Sequence, residues 1–144
     1  MEVIYEFTYE NGFLSNFHPA EVTFEGMRFP SVEHAYQAAK MLDREERFNI
    51  LRATTPGLAK RLGRSTMHLR ADWERVKEEI MLDLLRQKFA ADPLRARLLA
   101  TGDSVLIEGN SWGDRYWGVS GGQGLNRLGM LLMDVRRELA DAAV

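Results

Sequence analysis

The sequence predicts an α+β fold: a single, mostly α-helical domain with a small sheet. Three observations point that way. Short β-rich runs with turn signals crowd the segment before Ser31. From Ser31 onward, apolar residues recur at the three- and four-residue spacing of amphipathic helices. With 144 residues, 45% of them apolar, the chain is long enough to bury one core, so residues 1–144 are taken as one domain.

The elements follow in order. "VIYEF", "AEVTF" and "MRF" read as strands, with turn signals at Asn11-Gly12 and Glu25-Gly26. Between the first two lies "GFLSNFHPA", aromatic-rich and irregular. Ser31 is a good N-cap for a helix in which Val32, Ala35, Tyr36 and Ala39 recur at i, i+3, i+4 and i+7. "REERFNILRA" reads as a second helix. Thr55-Pro56 and Asp92-Pro93 each place proline at the first helical position behind a capping residue. They open "PGLAKRLG" and "PLRARLLATG", the latter closed by Gly102. Asp72 is read as the cap of a long helix, "WERVKEEIMLDLLRQKFAA", with Trp73, Val76, Ile80 and Leu84 inward. "SVLIEG" is one more strand. From about Gly124, Leu125, Leu128, Leu132, Val135 and Leu139 form the apolar seam of a last helix.

Composition narrows the function. Nineteen basic against 21 acidic residues give a net charge of -2, which argues against a broad basic platform for nucleic acid. There are no cysteines, so disulfides and thiolate chemistry are excluded. "MEVIYEFTYENG" lacks the basic and apolar regions of a signal peptide, and no apolar run reaches the length of about 20 residues that spans a bilayer. A cytoplasmic protein is the expectation. His18, His34 and His68 show no metal-ligand spacing, so neither a metal nor a cofactor is expected.

Two stretches have candidate chemistry. Seven of the twelve glycines fall between Gly109 and Gly129, just ahead of the last helix. Such a loop can offer backbone N–H groups to phosphate, or can simply be an irregular connection. Trp112, Tyr116 and Trp117 surround Asp114 and Arg115 there, which tilts the reading towards a ligand pocket with Arg115 facing phosphate. The second stretch is "FPSVEHAYQAAK". Glu33, Gln37 and Lys40 share one helical face, with Glu33 and Lys40 about 10 Å apart along the axis. Glutamate in the first turn and lysine in the last also suit the helix dipole, so periodicity alone leaves a solvated face and a site wall both open.

The blocks "FLSNF", "F.G..FPSVEHAYQAAK", "W...K...M...LR.KF", "LL.TGD..LIE" and "D.YWG.....GLN.LG.LLM..R" occur in this order. Together, from about residue 5 to residue 137, they resemble the YbiA/NADAR family. The resemblance implies that family's fold and an N-glycosidase activity. Substrates in the family are phosphoribosylaminopyrimidine intermediates of riboflavin synthesis, or ADP-ribosylated guanine in nucleic acid. In both, ribose C1 is bonded to an exocyclic amine, which lets the sugar open to an imine.

The resemblance implies a catalytic lysine at Lys40, attacking C1 to give a Schiff base, which requires a desolvated amine that has lost its proton. Glu33 becomes the general acid/base and Asp114 a second carboxylate, for ribose hydroxyls or water. Trp73 and Trp117 are expected to stack. Ser15, Asn16, Gln37, Arg115, Gly118 and Asn126 are expected substrate contacts. "VSGGQG" has its own spacing, so phosphate contacts there rest on Trp117-Gly118 and Asn126. His34 fits packing as well as catalysis, and Trp112 lies outside the pattern. Two alternatives remain: departure assisted by Glu33 alone through an oxocarbenium-like state, and a non-catalytic module binding ADP-ribose or a related nucleotide. No membrane and no obligate protein partner is expected.

Overall fold

The computed structural model describes residues 2–143. In chain order the elements are β1 (Val3–Ile4), a 3-10 turn (Tyr9–Leu14), β2 (Pro19–Phe24), β3 (Met27–Ser31), α1 (Val32–Ala39), α2 (Arg44–Leu51), α3 (Pro56–Arg64), α4 (Trp73–Lys88), α5 (Leu94–Ala100), β4 (Val105–Leu106), β5 (Gly109–Asn110), β6 (Val119–Ser120) and α6 (Arg127–Ala142). The α+β, mostly helical architecture is as expected. These elements form two compact units. One comprises Asn16–Lys88, and the other the chain up to Ser15 and from Phe89 onward.

In the Asn16–Lys88 unit, β2 and β3 form an antiparallel hairpin that pairs Val22 with Phe29 and Phe24 with Met27. Glu25 and Gly26 turn it with φ of 46° and 83°, the positive values that a two-residue turn of matching twist needs. Met27, Phe29 and Ser31 alternate inward along β3. The hairpin leads straight into α1, whose start is fixed by the Ser31 hydroxyl accepting from the His34 N–H at 3.0 Å. All eight residues of α1 are buried, because α2, α3, α4 and the hairpin pack around it. Ala35, Ala38 and Ala39 are small enough to permit that close packing.

The helices α2 and α3 begin as capping chemistry requires. Asp43 accepts from the Glu45 N–H, and Thr55 accepts from the Leu58 N–H at 3.1 Å with Pro56 next. Two details of α4 differ from the sequence expectation. It ends at Lys88, and its buried face is Trp73, Lys77, Met81, Leu84, Leu85 and Lys88, with Val76 and Ile80 only half-buried. Two lysine stems replace apolar residues on that face, as long aliphatic stems can. The Asp72 carboxylate is held by Arg70 through Nε at 2.7 Å and Nη2 at 3.1 Å, while the Asp72 carbonyl takes the N–H groups of Arg75 and Val76.

In the other unit the expected strands are shorter. β1 pairs in parallel with β4 over two residues, and β5 pairs in parallel with β6 over two more. "SVLIEG" is split because the Glu108 N–H donates to the Asn126 side chain at 2.9 Å instead of to a strand. Asn11-Gly12 lies inside the 3-10 turn, so it closes no hairpin. Pro93 itself occupies the N-cap of α5, one residue later than expected, and Asp92 still accepts from the Ala96 N–H at 3.0 Å. Gly102 ends that helix with φ 61°. Leu125 precedes α6 and is 62% exposed, so the seam is Leu128, Leu131, Leu132 and Val135.

Candidate active site

The polar stripe of α1 is an interior feature. Glu33 is 7% exposed; its N–H donates to the Asn16 carbonyl at 3.1 Å, and its Oε2 accepts from Gln37 Nε2 at 2.6 Å. Gln37 is 4% exposed and its Oε1 has no hydrogen-bond partner. That oxygen faces Gly63 of α3, where any Cβ would run into it. Glycine at 63 therefore lets α3 lie directly on the Gln37 side chain. Asn16 is also buried, with Nδ2 3.6 Å from the Met81 sulfur and Oδ1 unpartnered. The two residues hydrogen-bonded to Glu33 thus each keep one buried side-chain oxygen without a protein partner.

Lys40 follows α1 as its C-cap and is half-buried. Burial is the main force depressing its proton affinity, because the charged form loses water. Glu33 opposes that shift, whereas Arg64, Lys60 and Lys77 reinforce it. The Lys40 Nζ lies 5.7 Å from the Tyr36 ring centroid, and Trp73, 5% exposed, packs on the same ring at 5.1 Å with the planes at 53°. The backbone is pinned as well: the Arg70 N–H donates to the Lys40 carbonyl at 2.8 Å.

His34 has a structural role. Its Nε2 is 2.9 Å from the Ala53 carbonyl, which can only accept, so Nε2 bears the proton. The Nδ1 then accepts from the Ser31 hydroxyl at 2.7 Å. The ring fastens the start of α1 to the segment before α3.

The glycine-rich segment belongs to the other unit, together with Ser15, whose N–H closes the 3-10 turn on the Gly12 carbonyl at 3.0 Å. Asp114 Oδ1 accepts from the N–H groups of Tyr116 at 3.1 Å and Trp117 at 2.9 Å. Asn126 spans the carbonyl of Leu106 and the N–H of Glu108, both at 2.9 Å. Gly118 is required because a Cβ there would meet the Glu108 carbonyl. Arg115 is exposed and gives its Nε to the Ser120 carbonyl at 3.1 Å; Trp117 is half-buried, edge-on to Tyr116 at 4.9 Å. Trp112 is 55% exposed.

The start of α6 is closed by the loop that precedes it. The N–H groups of Leu125, Asn126, Arg127 and Leu128 donate to the carbonyls of Arg115, Gly118, Tyr116 and Trp117. The loop caps α6 with its own backbone.

Of the expected site residues, Asn16, Glu33, Gln37, Lys40 and Trp73 thus fall within one unit, whereas Ser15, Asp114, Arg115, Trp117, Gly118 and Asn126 fall within the other. Sequence reasoning missed Tyr36, Lys60, Gly63, Arg64 and Lys77. Lys77, buried and paired to Glu74 at 2.5 Å, stands one turn after Trp73 on the inward face, where a hydrophobic pattern does not look for a lysine. Among the described residues no group of three or more His, Cys, Asp or Glu is arranged to hold a metal, and no helix is long and apolar enough to cross a membrane.

The chain belongs to the NADAR domain family, whose pattern matches residues 5–140. It is 45% identical over 132 residues to the Escherichia coli (strain K12) protein named N-glycosidase YbiA, covering 90% of this chain and 82% of that one. It is 43% identical over 142 residues to the Vibrio vulnificus protein named riboflavin biosynthesis protein VVA0006, covering 96% of this chain and 38% of that one. The NMR structure of E. coli YbiA matches with a TM-score of 0.85 and 41% identity, over 99% of this chain and 89% of that one.

Proposed function

We propose that this N-glycosidase-type enzyme hydrolyses the bond between ribose C1 and an exocyclic amine, with Lys40 as nucleophile and Glu33 as general acid/base. The observation that carries the reading is a lysine amine depressed by burial and neighbouring cations, on the same helix as a buried carboxylate. A merely nucleotide-binding surface has no need of an amine with a lowered proton affinity.

The exocyclic nitrogen pushes out the ring oxygen, which takes a proton from Glu33, leaving an iminium at C1. Neutral Lys40 adds to C1. The proton released from Nζ reaches the leaving nitrogen through the Glu33 carboxylate, and the bond from C1 to that nitrogen breaks. The resulting protonated Schiff base adds water at C1 and collapses to the free sugar and neutral Lys40, and the proton released returns to the Glu33 carboxylate. Gln37 holds the Glu33 carboxylate for these transfers, and Asp114 has no chemical step.

The substrate class favoured is a phosphoribosylaminopyrimidine, in line with the Vibrio relative's name. ADP-ribosylated guanine presents the same linkage and is the second candidate. Incubation with each, followed by mass spectrometry, should detect ribose 5-phosphate with the free aminopyrimidine, or ADP-ribose with restored guanine. An intact linkage in both would defeat the proposal.

A further inference from the structure

We propose that Lys60 and Arg64 of α3, with Phe17 beside them, form an anion subsite that takes a phosphate group on the substrate's ribose. The proposal rests on the reading of Lys40 as the reacting amine and specifies the substrate class at that site.

The placement follows from the helix. Lys60, Gly63 and Arg64 stand at i, i+3 and i+4, so the two cations flank the point where the α3 backbone meets Gln37. Gln37 lies one turn before Lys40 on α1. Lys60 Nζ is 6.0 Å from the Phe17 ring centroid, and Phe17, 41% exposed, also borders Gly57 in the first turn of α3. Both cations also help to lower the proton affinity of Lys40. The cluster is local, since the chain as a whole has a net charge of -2.

Charge balance supplies the reason for two cations. A phosphate monoester has about -1.5 to -2 charges near neutral pH. Set unmatched beside Lys40, it would hold the proton on the amine and stop the attack on C1. A lysine and an arginine cancel that charge, and the arginine fork suits phosphate oxygens. At the start of α6 the N–H groups of residues 125–128 are already spent on the carbonyls of residues 115–118.

The test compares equilibrium binding of ribose 5-phosphate and unphosphorylated ribose by the wild type and by the Lys60→Gln/Arg64→Gln double variant. Wild type should prefer the phosphorylated sugar by about tenfold or more, and the double variant should lose the preference. Lys60→Arg, which keeps the charge, should retain it. A parallel arm with ADP-ribose tells a terminal phosphate from a diphosphate. Equal binding of both sugars by wild type, or an unchanged preference in the double variant, would overturn the subsite. A preference that depends on the two cations in a protein without turnover would leave the subsite standing and remove the catalytic reading. Turnover indifferent to the phosphate would do the reverse.

Discussion

At Lys40 two demands pull in opposite directions. The Schiff-base step needs a neutral amine, while Tyr36 at 5.7 Å and the Glu33 carboxylate both favour the ammonium. Burial, Arg64, Lys60 and Lys77 prevail, and the proton affinity falls. The consequence for pH is directional. Below the folded-state pKa, Lys40 holds its proton and the rate is low; above it the amine is free. The alkaline rise of kcat/KM should therefore be centred below the ordinary lysine value of about 10.4. A rise centred at or above that value would show an unperturbed lysine.

Gly63 is a second residue whose context decides the sign of an effect. Glycine to alanine inside a helix ordinarily gains about 1 kcal/mol. Here a Cβ would run into Gln37 Oε1 and Cδ, inside an interface with no slack. Overpacking of this kind costs about 1–3 kcal/mol, so Gly63→Ala should lower the urea midpoint instead of raising it. The release rate should fall too, as Gln37 loses its hold on Glu33. A stabilised, fully active Gly63→Ala protein would mean that α3 does not press on Gln37.

At the scale of elements, α1 is held at both ends, and its start can be tested alone. The Ser31 hydroxyl caps the helix and also donates to His34 Nδ1. Thr55 caps α3 through the Leu58 N–H, a bond at an exposed position. Thr55→Ala should cost about 1 kcal/mol by urea denaturation. Ser31→Ala should cost about 2 kcal/mol or more, because a buried imidazole nitrogen is left without its donor. Equal losses would reduce Ser31 to an ordinary cap. The elements most legible in the sequence were those whose signals are local: the caps Ser31 and Thr55, the Glu25-Gly26 turn, and the Leu128, Leu132 and Val135 seam. The short parallel pairs were not legible, since two-residue strands have no periodicity. Nor was the buried face of α4, where Lys77 and Lys88 take positions that a hydrophobic pattern reserves for apolar residues.

For the whole molecule, the NADAR family pattern covers residues 5–140, across both compact units. The α1 stripe could be named from the sequence, but its character could not. Periodicity gave Glu33, Gln37 and Lys40 one face; only tertiary packing buries Glu33 and Gln37 and brings the charges of Lys60, Arg64 and Lys77 to bear on the amine. In the loop the glycines were legible, but the use of the N–H groups of residues 125–128 on the carbonyls of residues 115–118 is decided by the fold.

The most direct test of the central claim is borohydride trapping. The wild type and Lys40→Ala would each be mixed with a phosphoribosylaminopyrimidine and sodium borohydride, then analysed by intact mass and peptide mapping. The mechanism predicts a reduced sugar adduct on Lys40 in the wild type, and neither adduct nor sugar release in Lys40→Ala. Sugar release by Lys40→Ala at the wild-type rate would contradict it and leave Glu33 as the sole chemical residue.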